Sequence, residues 1–122
     1  ELGVYSILFA SEGLKSPDTL EAGDAAQGLT LTSVSSGTTE FAQKYIVEYS
    51  EEPGPFSAQG YDAFKALAMA IKNNAKTGTE IKDELYKEEF DGASGYIKFD
   101  SNGDVTGNYD VYIIHQGEFV LL

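Results

Sequence analysis

The sequence predicts an α/β fold. Three observations carry the prediction. The first 34 residues read as strand, helix, strand. Two segments with apolar side chains at helical spacing follow between Thr39 and Asn74. From Gly92 the period changes to two, the mark of antiparallel strands.

Each element has its own reason. Val4–Ala10 (VYSILFA) is mostly apolar, so it reads as a buried strand of the helix-covered, parallel kind. Ser11-Glu12-Gly13 is a polar loop at its carboxyl end. Ser16-Pro17 reads as a helix start, with Ser as the cap, Pro in the first turn, and Asp18 and Glu21 near the positive end of the dipole. Leu20, Ala22, Ala25 and Ala26 continue that helix to about Gly28. Leu29–Val34 alternates apolar with hydroxyl side chains and reads as the second strand. Ser35-Ser36-Gly37-Thr38-Thr39 is the most linker-like stretch. A helix from Thr39 then places Phe41, Tyr45 and Tyr49 on one stripe, and Glu51-Glu52-Pro53-Gly54-Pro55 ends it. Phe56–Asn74 has the strongest helical pattern, with Tyr61, Phe64, Leu67, Ala68 and Ile71 on the face expected to pack. Thr79–Glu88 reads as another helix, with Lys82 rather than an acid at the capping-box position after Thr79. Tyr96–Asp100, Tyr109–His115 and Glu118–Leu122 read as strands, with turns at Asn102-Gly103 and Gln116-Gly117.

Composition excludes several functions. The chain has 122 residues, a length that suits one domain. Its net charge is −12, and all eight basic residues are lysine. Nucleic acid and anionic membrane surfaces both need a cationic face, so neither is expected as a partner. Without arginine no bidentate guanidinium clamp is available. Cysteine is absent, which removes disulfides, thiol nucleophiles and thiolate metal sites. Hydrophobic residues make up 42%, enough for a packed core, and no apolar run approaches the ~18 residues of a membrane span. The start Glu1-Leu2-Gly3 reads as a helix end with its glycine cap, so the chain reads as a fragment.

Few residues suggest chemistry. Glu12 lies in a loop at the carboxyl end of a predicted strand, the edge where open α/β sheets bind ligands. A carboxylate there can accept hydrogen bonds from an ammonium group. Asp100, Asn102 and Asp104 superficially suggest a calcium loop, but Gly103 is fourth and Val111 twelfth where an EF-hand needs Gly sixth and Glu twelfth, so a turn is expected. His115 is the only histidine and has no nucleophile motif around it. The pairs Glu51-Glu52 and Glu88-Glu89 read as solvated charge, and a small acidic hydrolase stands only as a remote third reading. Tyr61, Phe64 and Leu67 read as core. Phe56, just after Pro55 at a helix mouth, is placed to face a cleft. No cofactor and no metal are expected.

The order of motifs resembles a known family. ELGV followed by SILFASEGL, then SPDTLEAGDAAQGLTLTS, then the helix with Gly60-Tyr61-Asp62-Ala63, then FDGASGYIKFDSNGDV, is similar to the C-terminal part of type I periplasmic substrate-binding proteins, the branched-chain amino acid group of ABC transporter receptors. The resemblance runs the length of the chain. It implies a fragment of a two-lobed fold, three-layer α/β lobes joined by hinge crossovers, that closes on a small ligand without chemistry. Residues 1–34 would be a β-α-β segment of the second lobe and 35–38 a crossover, with Ser35, Ser36 and Gly37 as hinge. Residues 39–104 would lie in the first lobe, and 105–122 would return to the second. Glu12 would accept the ligand ammonium, with Ser11 beside it, and Phe56 would pack near the ligand side chain. The implied ligand is an amino acid, and the implied partners are an ABC permease and the missing N-terminal part of the same receptor. Alone, the fragment could self-associate or swap segments. The implied location is periplasmic or extracellular. A sensory or regulatory binding module of the same fold is the alternative.

Overall fold

Phe9–Ala10 (β1) and Thr30–Val34 (β2) run parallel, Phe9 beside Thr30 and Ala10 beside Leu31, as a strand–helix–strand connection requires. The computed structural model describes residues 6–105, 107 and 109–122. The predicted helix end at Leu2-Gly3, and Val4 and Tyr5 of the first strand, lie outside the described residues. The rest of that strand departs from expectation. Only Phe9 and Ala10 pair, and Ile7 and Phe9 are 79% and 76% exposed. β1 is an edge strand among the described residues, and Ile7, Leu8 and Phe9 stay exposed while Ala10 packs against the core. The crossover helix is also shorter than its pattern. It runs Pro17–Leu20 (α1) and gives way to a 3-10 turn, Gly23–Ala26, because Gly23 takes φ +57. Pro17 opens the helix as expected, but the Ser16 hydroxyl faces Thr19 Oγ1 at 3.5 Å rather than capping an N–H.

The middle of the chain is mainly helical. Thr39–Tyr49 (α2) starts where the Thr38 hydroxyl accepts the Phe41 N–H at 3.2 Å, and it ends at Ser50 in the left-handed region, φ 59. Ser57–Lys72 (α3) packs by the face opposite to the one expected. Ala58, Asp62, Ala66 and Ala70 are buried, while Phe64 is 74% exposed and Tyr61, Leu67 and Ile71 are open too. The small side chains let neighbouring backbone approach closely. Gly37 sits where an added Cβ would be 2.9 Å from Ala58 Cβ. Asp62 is drawn inward by hydrogen bonds described below.

Gly78–Leu85 (α4) begins one residue and ends three residues earlier than the expected Thr79–Glu88. Its cap is Thr77, and Thr77 with Glu80 forms the full capping box that a Thr79 start lacks: Thr77 Oγ1 accepts from Glu80 N–H at 3.3 Å and Glu80 Oε2 from Thr77 N–H at 2.9 Å. The Lys76 N–H, which donates to Glu80 Oε2 at 2.7 Å, and the Thr77 N–H hold the Glu80 carboxyl below its usual value. Glu89–Asp91 (β3) and Tyr96–Lys98 (β4) then form a hairpin around Gly92–Gly95. β3 was not foreseen, because its three residues are too short to show a period. Among the described residues the turn at Asn102-Gly103 closes one bridge, Phe99 with Val105.

Glu88, between α4 and β3, is 8% exposed, and neither carboxylate oxygen finds a hydrogen-bond partner among the described residues. Burial, helped by the nearby Glu84 charge, pushes its carboxyl above the ordinary 4.5. Such a group binds its proton more tightly when folded. It contributes stability below pH 4.5 that is lost as pH rises through the raised value. Glu88→Gln is therefore expected to stabilise the chain at pH 7 by about 1 kcal/mol, with the gain shrinking toward pH 4, read as Tm against pH for both proteins. A gain that grew on acidification would reverse the assignment.

Tyr109–His115 (β5) and Glu118–Leu121 (β6) return to the first sheet. β5 pairs antiparallel with β2, Val34 opposite Tyr109 and Thr30 opposite Ile113. β6 follows through Gln116-Gly117, both at positive φ, which gives the order β1-β2-β5-β6 among the described residues. Leu31 and Ile114, each 1% exposed, centre the core with Ala26 and Leu29, and Ala10, Leu20, Tyr112 and Phe119 pack against it. The chain thus forms two units: Glu1–Val34 with Tyr109–Leu122, and Ser35–Asn108.

Candidate functional site

In the sheet unit, the chain leaves β1 through Ser11, whose extended backbone (φ −109) leads into a 3-10 turn, Glu12–Leu14. Leu14 N–H donates to Ser11 O at 3.1 Å and Lys15 N–H to Glu12 O at 2.9 Å. This turn fixes the backbone of the loop while leaving Ser11, Glu12 and Gly13 exposed. The Glu12 side chain makes no hydrogen bond or ion pair among the described residues. Lys15, three residues on, places its ammonium 3.7 Å from the centre of the Tyr112 ring. The loop therefore presents a carboxylate at the carboxyl end of a parallel strand, able to accept hydrogen bonds from a cation.

The other candidates lie in the helical unit. Phe56 is the residue before α3, at φ 66, a left-handed conformation that costs a non-glycine residue about 1–2 kcal/mol. Its carbonyl accepts the Gly60 N–H at 2.9 Å, and the residue is 52% exposed. The Pro53-Gly54-Pro55 break forces the chain to turn there before α3 can start. Strained backbone of this kind gathers at binding and switch positions.

Ser35–Gly37 forms a turn, with Gly37 N–H to Ser35 Oγ at 3.3 Å. It is also tied down: Gln59 Nε2 donates to Ser35 O at 2.7 Å, and Thr38 N–H to Ala93 O at 2.7 Å. Ser11 and Glu12 share one loop, whereas Phe56 and Ser35–Gly37 belong to the other unit, so the two sets are distinct features of the chain.

A groove of about 360 Å³ lies within the helical unit, walled by Phe41, Tyr45, Tyr49 and Tyr61 with Lys44 and Lys65 beside them. The stripe on α2 is legible from its i, i+4 spacing. The Tyr61 contact, 5.6 Å between ring centres with Phe41, is not, because helical spacing shows that Tyr61 lies on an apolar face but not which helix meets it. Asp100 accepts from Asn102 N–H at 2.8 Å and Asp104 N–H at 3.0 Å, as a turn does. These bonds hold its carboxyl below the usual value. Among the described residues no three His, Cys, Asp or Glu side chains are placed to hold a metal. No helix of the described residues is long and apolar enough to cross a membrane.

The receptor family ligand binding region matches residues 3–116. The chain belongs to that receptor family. It is a ligand-binding family, not an enzyme family, and its fold is the type I periplasmic binding protein fold. A leucine-binding protein from Thermotoga maritima is 30% identical, with a TM-score of 0.80 over 99% of this chain and 37% of that one. A branched-chain amino acid transporter substrate-binding protein from Streptococcus pneumoniae, solved with isoleucine, is 25% identical, with a TM-score of 0.72 over 96% and 36%. A solute-binding protein from Rhodopseudomonas palustris, solved with benzoate, shares the fold at 21% identity, with a TM-score of 0.69 over 94% and 34%. No curated protein matches the chain. The receptor-family chain thus spans little more than a third of these structures.

Proposed function

We propose that the chain is part of a solute-binding receptor of an ABC importer, for amino acids of the branched-chain type. The observation that carries this is the exposed carboxylate of Glu12, without a partner among the described residues, at the carboxyl end of β1 in a chain 30% identical to a leucine-binding protein. Glu12 accepts the ligand ammonium and Ser11 lines the same loop. Phe56 packs near the ligand side chain. The two units are parts of two lobes that close on the ligand, and Ser35, Ser36 and Gly37 are at the hinge. The receptor works in the periplasm or at the cell surface and delivers its ligand to a permease.

Calorimetry tests this on the whole receptor that carries the chain. Leucine, isoleucine and valine are expected to bind, and benzoate, which has no ammonium for Glu12, is not. Binding of benzoate with no heat from any amino acid would move the receptor to another ligand class. No binding of either would end the proposal.

A further inference from the structure

Asp62 is the most committed polar side chain of the helical unit. It is 3% exposed on α3, yet its carboxylate takes three hydrogen bonds from the turn between β3 and β4. Ala93 N–H reaches Oδ1 at 2.7 Å, Ser94 N–H reaches Oδ2 at 2.7 Å, and the Ser94 hydroxyl reaches Oδ2 at 2.6 Å. Gly92 lets the turn come this close, since an added Cβ would fall 2.5 Å from Oδ2. The same turn holds the crossover. Ala93 N–H is on Asp62, and Ala93 O takes the Thr38 N–H. Gly37, at φ +103, is wedged between Ala58, Ala93 O and Phe41. Gln59, on the same turn of α3 as Ala58, holds Ser35 O.

We infer that Asp62 is a positioning residue for the crossover. Through the Gly92–Gly95 turn it fixes residues 35–38 to the helical unit, so that bending between the lobes takes place before Ser35 rather than within Ser35–Gly37. A charged carboxylate receiving three donors in a buried site is rigid, because no rotation satisfies all three again. A hinge works when one end is held and a few adjoining dihedrals absorb the rotation. This rests on the two-lobe closure of the proposed function and moves its bending point to just before Ser35, with Ser35–Gly37 as the held side of the hinge.

Hydrogen exchange on the full chain, followed amide by amide, tests the anchor without any ligand. Asp62→Asn keeps the shape and loses an acceptor. It is expected to speed exchange at Thr38, Ala93 and Ser94 at least tenfold, while Leu31 and Ile114 of the sheet unit stay unchanged. Ser94→Ala removes one of the three bonds in case Asp62→Asn does not fold, and a smaller rise confined to the same amides is expected. In the whole receptor, Asp62→Asn is expected to change the leucine dissociation rate at least threefold although Asp62 is not assigned to the ligand. Thr38 exchange unchanged while Ala93 and Ser94 accelerate, or a uniform rise everywhere, overturns the anchor. A wild-type receptor that ignores leucine overturns the ligand reading instead, and the exchange result still decides the anchor.

Discussion

Glu12→Gln, in the receptor that carries this chain, is expected to lower affinity for leucine about 30- to 100-fold if Glu12 accepts the ligand ammonium as proposed. Hydrogen bonds between charged partners are worth about 1.5–3 kcal/mol net, roughly twice neutral ones. Gln keeps the size of the side chain, offers one acceptor in place of two charged ones, and points an NH₂ at an ammonium. A loss of about 2–2.8 kcal/mol corresponds to that fold-change. The loop does not change, because its 3-10 turn is held by backbone bonds of Ser11 and Glu12 rather than by the carboxylate. Calorimetry with leucine, isoleucine and valine should show the same loss for each, since all three share the ammonium. Unchanged affinity would remove Glu12 from the site.

Gly37→Ala destabilises the chain by about 2–4 kcal/mol. Two costs combine there. At φ +103 an L side chain is strained, worth about 1 kcal/mol or more. The new Cβ also lands 2.9 Å from Ala58 Cβ and 3.2 Å from Ala93 O. Neither neighbour is the tip of a flexible side chain, so the backbone must shift, at about 1–3 kcal/mol. Urea unfolding with an unchanged slope would give the difference directly. A change below about 0.5 kcal/mol would mean that the turn relaxes freely and that Gly37 is not packed as the structure has it.

Gly37 also shows what a sequence can and cannot carry. Ser-Ser-Gly looks like slack chain, and its composition is indeed that of a linker. Nothing in one dimension says that Ala93, far along the chain, lies against it. The same limit inverted α3. A helical stripe of Tyr61, Phe64, Leu67 and Ile71 shows that an apolar face exists. It does not say which described element covers it, and here the alanine and aspartate side is the one that packs. Strands with clear alternation fared better: Tyr109–His115 kept the expected bounds and Leu29–Val34 shifted by one residue. The α4 cap was misplaced because Thr77 and Thr79 both qualify, and only the Glu80 side chain, reaching back to Thr77, decides between them. The loop holding Glu12 was legible because a polar break after an apolar strand marks the sheet edge. The Asp62 linkage was not, since a lone acid on a helix looks solvated.

The sheet unit is built from the two ends of the chain, with the helical unit inserted between Val34 and its partner Tyr109. For an unstructured insert of that length, bringing the two strands together costs about 4 kcal/mol of loop entropy. A folded insert removes most of that search. The helical unit is continuous in sequence, so its own contacts do not depend on the pairing of the sheet's strands. The loop of Glu12 thus stands on a sheet whose central strand pair is joined only through the insert.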